Sequence, residues 1–147
     1  MENAEIARNL MSSFQQFRLL FKGQGNFAGL KHSEMGLLFH IRGGCSAEPE
    51  GMKVSELSSK MHVTSPSITQ LVTSMEEQGL VVRKMDREDR RSVKVSLTDK
   101  GNEITIKAEQ EIMAMLTGLV DYMGHEKSLA LIEIFNDVFA YLSTRNI

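Results

Sequence analysis

Residues 53–101, KVSELSSKMHVTSPSITQLVTSMEEQGLVVRKMDREDRRSVKVSLTDKG, decide the fold of this chain. Their patterns predict a short helix, a tight turn with Val63 as its buried plug, a second helix, and two strands joined by a charged tip. This order of elements is typical of a winged helix-turn-helix. The expected fold class is therefore mainly α with a small β-hairpin wing, flanked by N- and C-terminal helices.

The second helix of this stretch has the clearest boundaries. Thr64 or Ser65 can cap its first amides with a hydroxyl group. Pro66 suits the first turn, and Gly79 can end the helix in the left-handed conformation. Apolar residues at three- and four-residue steps predict a buried stripe made of Ile68, Leu71, Val72 and Met75.

The opposite face of that helix carries short or uncharged polar side chains, where a solvent-facing helix usually carries long charged ones. Gln can bond an adenine edge, and Ser or Thr can bond a base or a phosphate, so this face can enter a major groove. An ordinary polar surface helix is the alternative. The residues expected to contact DNA are Ser65, Ser67, Thr69, Gln70 and Thr73.

Two strands are predicted to follow, at 80–84 and 92–97. The second alternates Val93, Val95 and Leu97 with polar residues, as a half-buried strand does. Between positions 83 and 94 there are six Lys or Arg and three Asp or Glu, a local net charge of plus three. A basic hairpin beside a polar helix is suited to a phosphate backbone and a minor groove.

Three motifs in this stretch closely resemble the MarR family of bacterial transcriptional regulators: SELSSKM at 55–61, SPSITQLV at 65–72 and DREDRRSVKVSLTDKG at 86–101. The wing motif of the family is Asp-x-x-Asp-Arg-Arg followed by Leu-Thr-x-x-Gly. Because the motifs occur in order and the flanking helices fit, the resemblance covers essentially the whole chain. It implies a homodimer, usually a repressor, that binds a pseudo-palindromic operator in double-stranded DNA.

The resemblance also implies roles for the wing tip. The arginine at position Arg91 enters the minor groove, and the aspartate at Asp89 holds it there. Arg87 and Arg90 are left to contact phosphates. A narrow groove concentrates negative potential and favours a guanidinium that is already oriented. A solvated charged turn is the alternative.

The length of 147 residues and the 41% apolar composition suit one domain, expected to span 1–147. No apolar run approaches the roughly 18 to 20 residues that cross a bilayer, and the N-terminus lacks the pattern of a signal peptide. We therefore expect a cytoplasmic protein with no membrane partner. The net charge is −2, but residues 51–101 carry nine basic and seven acidic side chains, so a DNA-binding face can still be positive.

Helical patterns flank the central stretch. Helices are predicted at about 4–22, 33–42, 99–123 and 125–143, with Gly43 and Gly44 ending the second and Thr98 capping the third. The first and last carry more large apolar residues than a small reading head at about 53–101 can cover, so we expect them to form a homodimer interface. The resemblance implies the same helices. A core within a single chain is the alternative.

No catalytic constellation is present, because Cys45 and the four histidines are scattered and no nucleophile elbow or phosphate-binding glycine loop occurs. We therefore expect no enzyme, no metal site and no cofactor. Cys45 is placed in the loop after the second helix, whereas oxidant-sensing relatives usually carry theirs in the first helix. We interpret it as an incidental thiol.

A small aromatic or anionic effector is the remaining means of control that the resemblance implies. In the family such ligands often bind between the dimerisation helices and the reading head. The expected lining is Phe17, Met35, Phe39 and Met113, with Arg42 as counter-charge, and simple packing is the alternative for each. A second class of function also stays open, a winged-helix module that binds proteins and does not bind DNA specifically.

Overall fold

The computed structural model describes residues 2–24, 26–45 and 51–145. These form, in chain order, α1 (Asn3–Gln24), α2 (His32–Cys45), β1 (Met52–Lys53), α3 (Val54–Met61), α4 (Ser65–Glu77), β2 (Val81–Met85), β3 (Val93–Leu97), α5 (Asp99–Met123) and α6 (His125–Ser143). The fold is mainly helical with one small antiparallel sheet, which confirms the predicted fold class. The chain divides into two compact units, Met1–Ala108 and Glu109–Ile147.

The sheet has the strand order β1-β3-β2. Its two longer strands form the predicted hairpin, paired from Val81↔Leu97 to Met85↔Val93. The third strand, β1, is only two residues long and pairs with β3 through Met52↔Val95. This strand was not predicted, because two residues are too few to show the alternation of a strand.

The core of the first unit lies between the sheet and three helices, α2, α3 and α4. Each of these elements contributes fully buried side chains: Leu37, Leu38, Ile41, Met52, Leu57, Ile68, Val72, Met75, Val81 and Val95. Burying one such side chain contributes about 1.5 to 3 kcal/mol. Because three of them come from α4, that helix is fixed along one face and leaves its opposite face to solvent.

Two helices continue beyond the ends predicted for them. The helix α1 includes Gly23, and α2 includes both Gly43 and Gly44. A glycine inside a helix costs about 1 kcal/mol relative to alanine but does not forbid the helix. Cys45 is thus the last residue of α2 and not part of a loop, while its side chain and residues 46–50 lie outside the described part of the chain.

The helix α6 lies in the second unit, and not one of its 19 residues is buried. Many of them are large and apolar: Leu129, Ile132, Ile134, Phe135, Phe139 and Leu142 are 46 to 73% exposed. In the first unit, α1 shows the same property at Leu10, Phe14 and Phe17, which are 52 to 56% exposed. Such continuous apolar faces are unusual on a monomer.

The end of α4, both ends of the hairpin and the start of α5 meet at one junction, formed by residues 78–80 and 98–101. The backbone N–H of Thr98 donates to the carbonyl of Leu80 at 3.1 Å, and its hydroxyl donates to the carbonyl of Gly79 at 2.6 Å. The same hydroxyl accepts from the backbone N–H of Gly101 at 3.0 Å. Thr98 is therefore the N-cap of α5, as predicted.

Gly101→Ala is expected to destabilise the protein. A Cβ at Gly101 would collide with the carbonyl oxygen of Leu80 and lie 2.9 Å from its carbonyl carbon, which is backbone that cannot rotate away. We expect a loss of about 1 to 3 kcal/mol in the free energy of unfolding, measured by urea denaturation.

Gly118→Ala is the matched control in the same helix. A Cβ at Gly118 has no neighbour within 4 Å, so alanine is expected to raise the free energy of unfolding by up to about 1 kcal/mol. Equal effects of the two substitutions would contradict the role assigned to the contact between Gly101 and Leu80.

Candidate nucleic-acid interface

The helix α4 has well-defined ends. Thr64 is its N-cap, with a hydroxyl oxygen that accepts from the backbone N–H of Ser67 at 3.3 Å, and Pro66 lies in the first turn. At the other end Gly79 has φ +74, the left-handed conformation that favours glycine. On the predicted stripe Ile68, Val72 and Met75 are 0% exposed and Leu71 is half-buried. The predicted boundaries and buried face are confirmed.

The turn before α4 is held by hydrogen bonds and not by a buried side chain. Val63 is 42% exposed, so the prediction that it plugs the turn is wrong. Its carbonyl accepts from the hydroxyl of Ser58 at 2.6 Å, and its backbone N–H donates to the carbonyl of Ser58 at 3.2 Å. His62, at φ +54, makes the sharp change of direction after α3.

The polar face of α4 is open to solvent. All five residues predicted there to contact DNA are exposed: Ser65, Ser67, Thr69, Gln70 and Thr73. The hydroxyl of Thr69 donates to the carbonyl of Ser65 at 2.9 Å, and that of Thr73 donates to the carbonyl of Thr69 at 2.9 Å. The face thus presents one long amide side chain, Gln70, among short hydroxyl groups.

The wing tip, residues 86–92, is held closed by its own carboxylates. The backbone N–H of Asp86 donates to the carbonyl of Ser92 at 2.9 Å, and its carboxylate accepts from the N–H of Glu88 at 3.2 Å. The carboxylate of Asp89 accepts from the backbone N–H of Arg91 at 3.0 Å and from the hydroxyl of Ser92 at 3.3 Å. Two of the three acidic residues in the tip therefore fix its shape.

Three arginines of the wing tip, Arg87, Arg90 and Arg91, are exposed. The contact from Asp89 to Arg91 is made to the backbone N–H, which holds the main chain from which the arginine side chain extends. Asp89 can therefore orient Arg91 through the backbone. The predicted roles of these residues toward DNA stay predictions.

Three lysines add positive charge to the sheet beside the tip. Lys53 pairs with Lys94, and Lys94 pairs with Lys84, so the three stand in one row across β1, β3 and β2. Directly opposite residues share a face of the sheet, with Cβ atoms about 4.5 to 5.5 Å apart. Such a row favours a polyanion nearby. It could not be recognised before β1 was known.

Arg83 lies beside the polar face of α4 and was not predicted as part of the candidate interface. It projects from β2 onto α4, where its guanidinium donates to Glu76 at 2.9 Å and to both the hydroxyl of Thr73, at 2.9 Å, and the carbonyl of Thr69, at 3.2 Å. The ion pair with Glu76 joins side chains that are 28% and 40% exposed, so after solvent screening it contributes at most about 1 kcal/mol to stability. The sequence signal that could have predicted this ion pair is an acidic and a basic residue, Glu76 and Arg83, seven positions apart on either side of Gly79.

The residues predicted to line an effector site differ in accessibility. Met35 is 6% exposed and belongs to the core, while Phe39 and Arg42, on the same helix, are half-buried. Phe17 on α1 is 52% exposed, and Met113, which belongs to the second unit, is 61% exposed. The effector site stays a prediction.

The described ranges hold neither a metal site nor a membrane-spanning helix. No three His, Cys, Asp or Glu side chains there converge closely enough to hold a metal ion. None of the helices found in those ranges combines the length and the apolar character needed to cross a membrane.

Comparison of the sequence with known proteins gives one family and several relatives. The model of the MarR family matches residues 46–93. The organic hydroperoxide resistance transcriptional regulator of Bacillus subtilis is 34% identical over 79 residues, 54% of this chain and 53% of that protein. The regulator PrsX of Escherichia coli is 31% identical over 108 residues, 74% of this chain and 63% of that protein. The chain spans 43 to 63% of the length of three of the curated relatives that it matches.

Solved structures share the fold over nearly the whole chain. A MarR family protein from Bacillus stearothermophilus superposes with a TM-score of 0.76 at 20% identity, covering 97% of this chain and 99% of that one. Streptococcus pneumoniae FabT, solved in complex with DNA, gives a TM-score of 0.75 at 21% identity, covering 99% and 100%. At this identity the likeness concerns the fold.

Proposed function

The chain belongs to the MarR family, and from this premise we propose that it is a homodimeric regulator that binds double-stranded DNA in the cytoplasm. MarR proteins are transcriptional regulators and not enzymes. The observation that carries the proposal is the joint exposure of the uncharged polar face of α4 and of three wing arginines. A polar helix face suits base edges, and cations on a neighbouring hairpin suit phosphates and a minor groove.

Gln70 is proposed to read a base in the major groove. Its side chain makes no hydrogen bond within the part of the chain that the structure describes, and it has a donor and an acceptor to offer. Ser65, Ser67, Thr69 and Thr73 surround it with shorter groups. In the wing, Arg91 is proposed to enter the minor groove while Arg87 and Arg90 contact phosphates.

The apolar faces of α1 and α6 support the homodimer. A pseudo-palindromic operator presents half-sites about 34 Å apart, so two reading heads must be held at a fixed spacing. An isologous interface covers the same apolar residues on both protomers. The proposed output is repression, which the name of a relative, the Bacillus subtilis transcriptional repressor MdtR, supports. A small aromatic or anionic effector is proposed to relieve it.

The first test is selection from random-sequence duplexes by the unaltered protein, followed by anisotropy titration of the selected duplex at about 50 to 200 mM salt. If Arg87 and Arg90 of both protomers neutralise four phosphates, log Kd rises with log salt with a slope of at least about 3.6. Enrichment of no sequence, or binding insensitive to salt, would instead favour the protein-interaction module.

Gln70→Ala is expected to relax the preference at one base pair of each half-site by about 1 to 3 kcal/mol, with little change in folding. Competition between single-base variants of the selected duplex measures this preference. Gln110→Ala, the same change on an exposed residue of α5, is the control. If Gln70→Ala weakens binding equally to every variant duplex, Gln70 does not read a base.

Replacing Phe135 and Phe139 with Asp is expected to convert the dimer to monomers or aggregates and to abolish operator binding. These side chains are 50% and 73% exposed in the single chain, and a buried unpaired carboxylate would disrupt an interface that covers them. Sedimentation velocity measures the change. Asn136→Asp adds one negative charge at an adjacent exposed position and is expected to stay dimeric. A doubly substituted protein that stays dimeric refutes this interface.

Asp89→Ala is expected to weaken binding to the selected duplex about fivefold, because it removes an acceptor of about 1 kcal/mol that holds the backbone of Arg91. Asp89→Asn keeps an oxygen for that N–H and an amide for Ser92 while it loses the negative charge, so it is expected to bind at least as tightly as the unaltered protein. Anisotropy titration at matched salt measures both.

Glu88→Ala removes the same charge from the wing tip and serves as the control. Charge counting predicts that every loss of an acid here tightens binding. Weakening by Asp89→Ala combined with tightening by Glu88→Ala supports the orienting role. If Asp89→Asn is as weak as Asp89→Ala, the aspartate acts through its charge and not through the turn.

A further inference from the structure

The guanidinium of Arg83 spans two turns of α4. One nitrogen donates to Glu76, and the other donates to Thr73 and to the carbonyl of Thr69. These acceptors are spaced four and three residues apart, so they lie along one side of the helix. We call this arrangement, formed by Arg83, Glu76, Thr73 and Thr69, the Arg83 clamp.

Glu76 binds Arg83 twice. One carboxylate oxygen accepts from the guanidinium at 2.9 Å, and the other accepts from the backbone N–H of Arg83 at 3.1 Å. Because β2 is an edge of the sheet, an N–H that points away from β3 needs a partner outside the sheet. Glu76 therefore ties both the main chain and the side chain of the wing to α4.

We propose that Arg83 is a positioning residue that holds the wing at a fixed spacing from α4, so that both engage one duplex together. This inference rests on the proposed function and adds to it a residue outside the expected contact set. The junction at Leu80 and Thr98 fixes the base of the hairpin. The Arg83 clamp acts further along β2, toward the tip that carries the arginines.

The clamp explains why an acidic residue stands at the edge of a cationic surface. Charge counting predicts that Glu76→Gln tightens DNA binding, whereas the clamp predicts weakening, because glutamine has one acceptor oxygen where Glu76 uses two. Glu77→Gln is the matched control on the next residue. Glu77 is exposed and lies outside the clamp, so its loss of charge follows the simple electrostatic expectation.

Arg83→Lys separates charge from geometry. Lysine keeps the positive charge but cannot reach the three acceptors with a planar fork. We expect Arg83→Lys and Glu76→Gln each to weaken binding to the selected duplex about tenfold, with a thermal unfolding midpoint only a few degrees lower. Glu77→Gln is expected to bind as tightly as the unaltered protein or more tightly.

The sharpest readout is the dependence on Arg91. In a chain with the clamp, Arg91→Ala removes the full contribution of the wing arginine. In the Arg83→Lys background the wing is no longer held in place, so Arg91→Ala is expected to cost much less. If Arg83 were an independent phosphate contact, the fold-loss of affinity in the double variant would equal the product of the fold-losses in Arg83→Lys and Arg91→Ala, to within about twofold. That result would overturn the inference.

A distance measurement without DNA keeps the test independent of the proposed function. Two spin labels are attached to a Cys45→Ser chain, one at Glu77→Cys on α4 and one at Glu88→Cys in the wing tip. Mixing with excess unlabelled chain removes distances between protomers, so the measured distance is the one within a single chain. Arg83→Lys is expected to broaden the distance distribution, and an unchanged distribution overturns the clamp. A chain that selects no duplex overturns the proposed function, while the distances still decide the clamp.

Discussion

The three carbonyl groups that follow α4 are the constraint on which the rest of the reading head depends. Carbonyls at a helix end have no partner within the helix. Here the carbonyl of Gln78 accepts from the ammonium group of Lys100 at 3.0 Å, and those of Gly79 and Leu80 accept from Thr98. The lysine also complements the negative end of the helix dipole. A displacement of the first turn of α5 would break these bonds, so they hold that turn against the end of α4.

Acidic residues near the cationic surface act as acceptors for the backbone. Asp86 and Asp89 accept from N–H groups of the wing tip, and Glu76 accepts from the N–H of Arg83 on the edge strand. Charge-assisted bonds of this kind are stronger than neutral ones. The local net charge of plus three counts these acids and the arginines alike. Two of the three carboxylates in the tip bond the main chain, whereas its three arginines are exposed to solvent, so the surface that solvent meets is more positive than that count.

Local patterns predicted the elements that local interactions determine. The ends of α4, the hairpin and the cap at Thr98 all depend on residues within a few positions of one another. The strand β1 and the row of lysines depend on pairing between Lys53 and Lys94, which no local pattern contains. Likewise, helical periodicity identified the exposed face of α4, but only the packed structure shows that Arg83 reaches that face from another element.

The hydroxyl groups of α4 also have a hydrogen-bond polarity. The hydroxyls of Thr69 and Thr73 each donate their single proton to a carbonyl one turn back, and the oxygen of Thr73 also accepts from Arg83. Both can therefore only accept further bonds. Phosphate oxygens, and N7 and O6 of guanine, are acceptors as well, so they gain nothing from these two hydroxyls. The exocyclic amino groups of adenine and cytosine are the donors that the major groove offers. If α4 enters a major groove as proposed, Thr69 and Thr73 therefore favour base edges that carry an amino group.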